Sequence, residues 1–223
     1  GNDTQGLRYG TIETSEKYYL EWKEAGVNAF ESLLDWHLSL LCEKSRLLEL
    51  IHDFIIFDAG IKKTCRHNQY FGIKVAQEFI DRLEGGIIWH TQGSGKSLTM
   101  VWLAKWIREH QRQARVLIIS DRTELDEQIS SIFKGVDEEI YRTESSADLM
   151  NKLNQTQPWL MCSLIHKFGH SSQEATEEFI NSLQQLPSNF SPKGNLFVFV
   201  DECHRTQSGK LHTAMKQMLP NAL

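Results

Sequence analysis

Residues 90–97 read HTQGSGKS and residues 201–202 read DE; both stretches carry residue types that handle phosphate and metal. Gly93 and Gly95 let a backbone bend around an anion and turn N–H groups toward it. A helix starting near Lys96 adds its positive dipole end. Lys96 can then reach the β- and γ-phosphates of a nucleoside triphosphate, and the Ser97 hydroxyl can ligate magnesium, with Thr91, Gln92 and Ser94 lining the same bend. The spacing is that of G-x-x-x-x-G-K-[ST], with His90 in the first glycine position. That position closes a strand, where a side chain is tolerable; the glycines at the bend are the ones the geometry requires. Taken alone, the stretch also reads as a flexible turn carrying an ordinary lysine.

Asp201 and Glu202 follow the apolar run LFVFV (196–200) and fall at the carboxyl edge of the strand it implies. One carboxylate there can face a metal and the other a water. Asp201 would hold Mg²⁺ in its outer shell, and Glu202 would orient or deprotonate the attacking water. An acidic pair after a strand is also commonplace as a helix start; joined to the loop at 93–97, it points to hydrolysis of a nucleoside triphosphate. His204 either links this site to a neighbouring strand or sits on the surface.

The elements that must position these groups are legible as apolar runs. IIW (87–89), VLIIS (116–120), WLMCSL (159–164) and LFVFV (196–200) are continuous rather than alternating, as in strands buried on both faces of a parallel sheet. The gaps between them are long enough for crossover helices. A helical pattern runs from Glu16 to about Ile56, and another from about Asn68 to Leu83, ended by Gly85 and Gly86. The helix after the loop would place Met100, Leu103, Trp106 and Ile107 on one face. Lys105, Arg108, Arg112 and Arg115 would form a basic stripe on the other, either a solvated face or a DNA contact. The fold class is therefore α/β, a mostly parallel sheet flanked by helices, with residues 1–60 as a helical attachment and 61–223 as the main lobe.

Composition sets the limits. The 223 residues are 40% hydrophobic and 24% charged, a balance that supports a globular core. A formal net charge of -5 gives the whole chain no attraction for nucleic acid, so any such binding must come from local groups. Cys42, Cys65, Cys162 and Cys203 show no CxxC spacing, which argues against a zinc site and a disulfide framework and favours a reducing compartment. No apolar run reaches the about 20 residues of a membrane span, and no signal peptide is recognisable. The opening GNDTQG has no methionine and the closing MLPNAL has no helix-ending signal, so the chain reads as a piece of something longer.

The wording of the motifs goes further. WHTQGSGKSLTM followed by DECHRTQSGK resembles the motor (restriction) subunit of type I restriction enzymes, within the superfamily-two helicases. LLELIHDFIIFD and RHNQYFGIKVA resemble the segments that precede the P-loop in that family. VLIISDRTELDEQI resembles its motif Ia, and WLMCSLIHKF the later strand-and-turn motif that helps bind nucleic acid. Together these segments cover nearly the whole chain in the family's order. The resemblance implies the first RecA-like lobe of an ATP-driven motor that translocates double-stranded DNA without leaving its recognition complex, and that leads to DNA cleavage in the full enzyme. It implies ATP and Mg²⁺ as cofactors, specificity and methyltransferase subunits as partners, no membrane, and a bacterial or archaeal cytoplasmic setting.

Carried over by position, Lys96 and Ser97 bind phosphate and magnesium, while Asp201 and Glu202 are the hydrolytic carboxylates. Gln69 matches a glutamine that reads adenine, whose amide offers a donor and an acceptor to the N6/N7 edge; Arg66 and Tyr70 flank it. Ser120, Arg122, Ser163 and Lys167 lie in or beside turns that leave two strands, where phosphate contacts carry no sequence information. Arg122 and Lys167 equally read as surface charges.

The same resemblance puts a nuclease domain before this segment and a second lobe after it, so the first lobe would stop short of its last strand. The piece alone is expected to bind nucleotide weakly and turn it over negligibly. Glu21 and Lys23 in LEWK imitate the second half of a PD-(D/E)xK nuclease, but only Asp3 stands upstream, in a glycine-flanked start. That active site is expected elsewhere. The rival readings are a motor lobe of type III restriction or remodelling type, and a non-catalytic RecA-like docking scaffold.

Overall fold

The computed structural model describes residues 1–24, 26, 30–58, 60–120, 123–164, 181, 190–201 and 219–223. Its N-terminal part is a mixture of short pieces. β1 (Arg8–Tyr9) pairs antiparallel with β2 (Leu20–Glu21), and two helices follow, α1 (Leu33–Leu41) and α2 (Lys44–Asp53). The helical pattern expected over 16–56 is thus divided, because local side chains cap its parts. The Ser32 hydroxyl accepts from the Asp35 N–H at 3.3 Å to start α1, and the Glu43 carboxylate accepts from the Arg46 N–H at 2.9 Å to start α2. Satisfying orphan N–H groups in this way fixes a helix start. Past Phe54 the chain turns into a hairpin, β3 (Ile55–Asp58) against β4 (Ile61–Thr64). β-branched Ile55 and Ile56 favour the extended form, and Gly60 takes the turn at φ 83°.

This segment docks on α3 (His67–Asp81). Trp22 is buried and packs edge-on to Tyr70, with ring centroids 5.2 Å apart, and against Phe71 at 5.6 Å. The Arg46 guanidinium stands 5.5 to 5.9 Å from the rings of Trp22, Tyr70 and Phe71 and pairs with Glu24 at 2.6 Å. The Glu49 carboxylate accepts from the Tyr70 hydroxyl at 2.8 Å and from Lys74 at 2.7 Å. Tyr70 therefore faces the N-terminal segment.

After α3 come α4 (Lys96–His110), β5 (Ala114–Ser120), α5 (Thr123–Gly135), β6 (Tyr141–Arg142), α6 (Ser146–Leu153), β7 (Leu160–Leu164) and β8 (Asn195–Val200). Among the described residues the main sheet has four strands in the order β6-β7-β5-β8, all parallel. β5 is central and buried along its whole length, as expected for a strand covered on both faces. Val101, Trp102, Ala104 and Ile107 of α4 share one core with Val116 and Ile118 of β5, and with Trp22, Tyr70 and Ile73. Among the described residues no helix is long and apolar enough to cross a membrane.

Two expectations are corrected. IIW (87–89) forms no strand: residues 84–90 carry neither helix nor strand, and Ile87 and Trp89 are 78% and 83% exposed. Apolar side chains favour a strand only where a neighbouring backbone accepts its hydrogen bonds. The outer side of β8 instead bonds Leu223, through Val198 N–H to the Leu223 carbonyl at 2.7 Å and Leu223 N–H to the Leu196 carbonyl at 3.1 Å. The second correction concerns Arg115, which belongs to no basic stripe. It lies in β5 and is 2% exposed. Its guanidinium donates to the carbonyls of Lys152, Leu153, Pro158 and Lys193 at 2.8 to 3.2 Å. The first two lie at the C-terminal end of α6, where a cation is favoured, and also accept the Gln155 and Lys193 N–H groups at 3.1 and 2.9 Å. Arg108 instead lies over the Trp159 ring, at 4.8 Å from its centroid.

Arg115 thus ties α6, the 157–158 turn and the approach to β8 to the central strand. Arg115→Met would remove the side-chain donor shared by the Pro158 and Lys193 carbonyls and leave those of Lys152 and Leu153 with backbone donors only. The expected cost is about 2–4 kcal/mol in urea unfolding, and a loss within about 0.5 kcal/mol, the usual range for surface substitutions, would show that the guanidinium does not hold these elements together.

Candidate functional site

The loop at 91–95 turns tightly. The Ser94 N–H donates to the Thr91 carbonyl at 3.2 Å, and Gly93 and Gly95 take φ of 77° and 86°. Both values lie in the left-handed region that side chains avoid. Gly95 caps α4 without any side chain to satisfy the first turn, so the N–H groups behind the bend remain available to an anion. Ser94 is buried and its hydroxyl has no hydrogen-bond partner. Lys96 and Ser97 open α4 and are half-buried. An uncapped helix start, a glycine bend and an orphaned hydroxyl fit the phosphates of a nucleotide.

The sequence left unread what holds the bend in place. Gln69 is 2% exposed, and its amide spans two elements. Its Oε1 accepts from the Arg66 N–H at 2.8 Å, and its Nε2 donates to the Gly95 carbonyl at 2.9 Å. The Arg66 guanidinium donates to the Gly93 carbonyl at 3.2 Å. The first turn of α3 therefore grips the loop at both glycines. A signal for half of this was present: a glutamine three residues past a helix start is the capping-box position. The other half depends on the loop lying beside α3, which no local pattern records. Of the two residues flanking Gln69 by resemblance, Arg66 reaches the loop and Tyr70 does not.

Three further candidates meet at one edge of the sheet. Ser120 ends β5, its register partner Leu164 ends β7 just after Ser163, and the Asp201 N–H donates to the Ile119 carbonyl at 2.9 Å. Ser120, Ser163 and Asp201 are 0%, 1% and 8% exposed, and the Ser163 hydroxyl has no hydrogen-bond partner. Three residues join α4 to β5, and the two pack together, so α4 runs back along the strand. Its 15 residues, at about 1.5 Å each, match the 7 residues of β5 at about 3.3 Å each. Lys96 and Ser97 are thereby carried to the same carboxyl edge as Asp201. Glu202, His204, Arg122 and Lys167 lie outside the described residues.

Glu21 and Lys23 are an exposed pair 3.7 Å apart, and Asp3 accepts from the Ser32 hydroxyl at 2.6 Å. Among the described residues the one group of His, Asp and Glu close enough to share an ion is His52, Asp53 and Glu109, which includes none of them.

The two glycines differ in what a methyl group would meet. At Gly93 it enters open space, whereas at Gly95 it lies 2.4 Å from Gln69 Nε2. Gly93→Ala should cost about 1 kcal/mol of backbone strain, and Gly95→Ala about 2 kcal/mol or more, because it also displaces the glutamine. Chemical unfolding of both variants, alone and with Gln69→Ala, tests this: the excess at Gly95 should shrink once Gln69 is gone.

The SWI2/SNF2 ATPase family model matches residues 68–223. A Methanocaldococcus jannaschii protein named as the MjaIXP type I restriction enzyme endonuclease subunit is 32% identical over 204 residues, 85% of this chain and 18% of that relative. The type I restriction enzyme HindI endonuclease subunit of Haemophilus influenzae is 27% identical over 253 aligned positions, 96% of this chain and 23% of the relative. An endonuclease subunit from Staphylococcus aureus is 24% identical and is matched by 100% of this chain. The chain spans about a fifth of the length of these relatives.

Proposed function

The chain belongs to the SWI2/SNF2 ATPase family and is similar over most of its length to endonuclease subunits of type I restriction enzymes, and from that premise we propose that it is the ATP-binding first lobe of a motor that moves double-stranded DNA. What supports the reading is the meeting, at one sheet edge, of an uncapped helix start behind a glycine bend with the Asp201 carboxylate. The amides of 93–97 receive the phosphates, and Lys96 adds a charge at the β,γ-bridge. Ser97 and Asp201 are the residues that would hold magnesium. That ion, when bound, neutralises charge developing on the transferring phosphoryl group. Glu202, next in sequence to Asp201, orients or deprotonates the attacking water, and His204 couples the site to a neighbouring strand.

Gln69 has two of its four hydrogen-bonding positions engaged. At 2% exposure it serves first to hold the loop, and its assignment to adenine rests on the family resemblance. Because Ser120 and Ser163 are buried, the side-chain contacts to DNA phosphates are assigned to Arg122 and Lys167, and the serines position the turns that carry them. Specificity and methyltransferase subunits are the partners, and the recognised DNA sequence is read there. Charge stabilisation from a second lobe is worth about 10³- to 10⁵-fold in other phosphoryl-transfer enzymes. The 223 residues alone are therefore expected to bind ATP weakly and hydrolyse it negligibly.

The test is ATP hydrolysis and translocation by the full-length protein assembled with its partner subunits. Lys96→Ala should abolish nucleotide binding and cut DNA-stimulated turnover at least about 100-fold. Glu202→Gln should leave binding within about twofold while lowering turnover about 10²- to 10⁴-fold. Translocation that survives Lys96→Ala would remove the motor reading in favour of a docking scaffold.

A further inference from the structure

The histidine at the head of the loop sits against a helix that is shaped to receive it. Gly72 lies in the middle of α3, where a glycine costs stability relative to alanine. A methyl group there would come within 3.2 Å of His90 Nε2, 3.4 Å of His90 Cε1 and 3.8 Å of Ile88 Cγ2. The imidazole therefore fills the space the missing side chain leaves. Burial pushes the histidine below its usual pKa; the hydrogen bond the ring makes to the backbone of Asn68, one turn earlier on α3, acts against this and Lys96 acts with it. A neutral ring so placed adds no second positive charge beside Lys96. Its Nδ1 is buried without a partner, so the ring is held by shape and by that one bond.

We propose that His90 is a positioning residue of the phosphate loop, seated in a notch that Gly72 leaves in α3. This rests on the reading of 91–97 as a triphosphate site and deepens it. The loop departs from the glycine-first pattern because its head has no strand partner to fix it. His90 anchors the head at Gly72, Arg66 holds Gly93, and Gln69 holds Gly95. Three successive contacts with one helix thus set the path of the bend before any nucleotide arrives, which lowers the ordering cost of binding.

A double-mutant cycle in the intact chain tests the pairing, with magnesium tripolyphosphate as the probe, since it carries phosphates and no base. His90→Gly, which restores the commoner residue, should weaken binding about fivefold, the scale of one lost hydrogen bond. Gly72→Ala should weaken it by a similar factor with His90 present, and by less than about twofold in the His90→Gly background. Thermal unfolding should change sign in parallel. Gly72→Ala is expected to lower the midpoint while His90 is in place, and to raise it through helix propensity once His90→Gly has emptied the notch. Binding by His90→Gly as tight as wild type, or an equal penalty from Gly72→Ala in both backgrounds, would overturn the proposal. Should Gly72→Ala fail to fold, His90→Gly alone decides by the same criterion. If Lys96→Ala binds the probe as wild type does, the phosphate-site reading falls and the proposal falls with it; an intact His90–Gly72 coupling in thermal stability identifies that case.

Discussion

The Gly95 carbonyl is the point through which the site is assembled. It accepts from Gln69 Nε2 at 2.9 Å, from the Thr99 N–H at 3.1 Å and from the Thr99 hydroxyl at 3.2 Å. One oxygen therefore joins α3, the bend and the first turn of α4. The consequence is electrostatic as well as mechanical. With the carbonyl drawn toward α3 and α4, the amide side of the bend faces the other way, and the uncapped start of α4 keeps its N–H groups for an anion. A loop with two left-handed glycines has many conformations open to it; the contacts to this oxygen select one.

The same helix links the loop to the N-terminal segment. On one side of its first turns α3 presents Arg66 and Gln69 to the loop, and on the other Tyr70 and Lys74 to Glu49 of α2. Trp22, Arg46 and Glu24 pack against that second side. Each residue along a helix turns the side chain by about 100°, which is why Gln69 and Tyr70, neighbours in sequence, serve different elements here. The segment before residue 60 is thus built into the wall that supports the loop, and its aromatic core is continuous with that of the main sheet.

Charge is distributed according to burial rather than sequence spacing. The chain is acidic overall, and one of its arginines, Arg115, is spent inside the protein on four backbone carbonyls and the Met161 sulfur. A buried guanidinium needs full hydrogen bonding, and the carbonyls around the end of α6 accept from its N–H groups. Arg108 stacks on an indole and Arg46 on three rings. The basic stripe expected after the loop, read as a solvated face or a DNA contact, therefore includes structural cations: Arg115 is buried and Arg108 lies over an indole.

Much of this was legible in the residues themselves. The continuous apolar runs marked β5, β7 and β8, because strands covered on both faces need no polar alternation. The bend at 93–97 and the acid at 201 were legible because only particular residue types can present amides, a flexible cation and a carboxylate at strand ends. Tertiary structure decided the rest. IIW has strand composition, yet whether it becomes one depends on a neighbouring edge, and that edge is formed by residues far along the chain. Arg115 has the spacing of a surface charge but points into the junction of α6 and β8, since strand register and not helix phase governs it. The opening helical pattern was cut by Ser32 and Glu43, whose capping is local, and by a hairpin at Gly60. The grip of Gln69 on Gly95 and of Gly72 on His90 joins residues 26 and 18 positions apart. No periodicity spans such a gap; only the packing of α3 against the loop brings those atoms into contact.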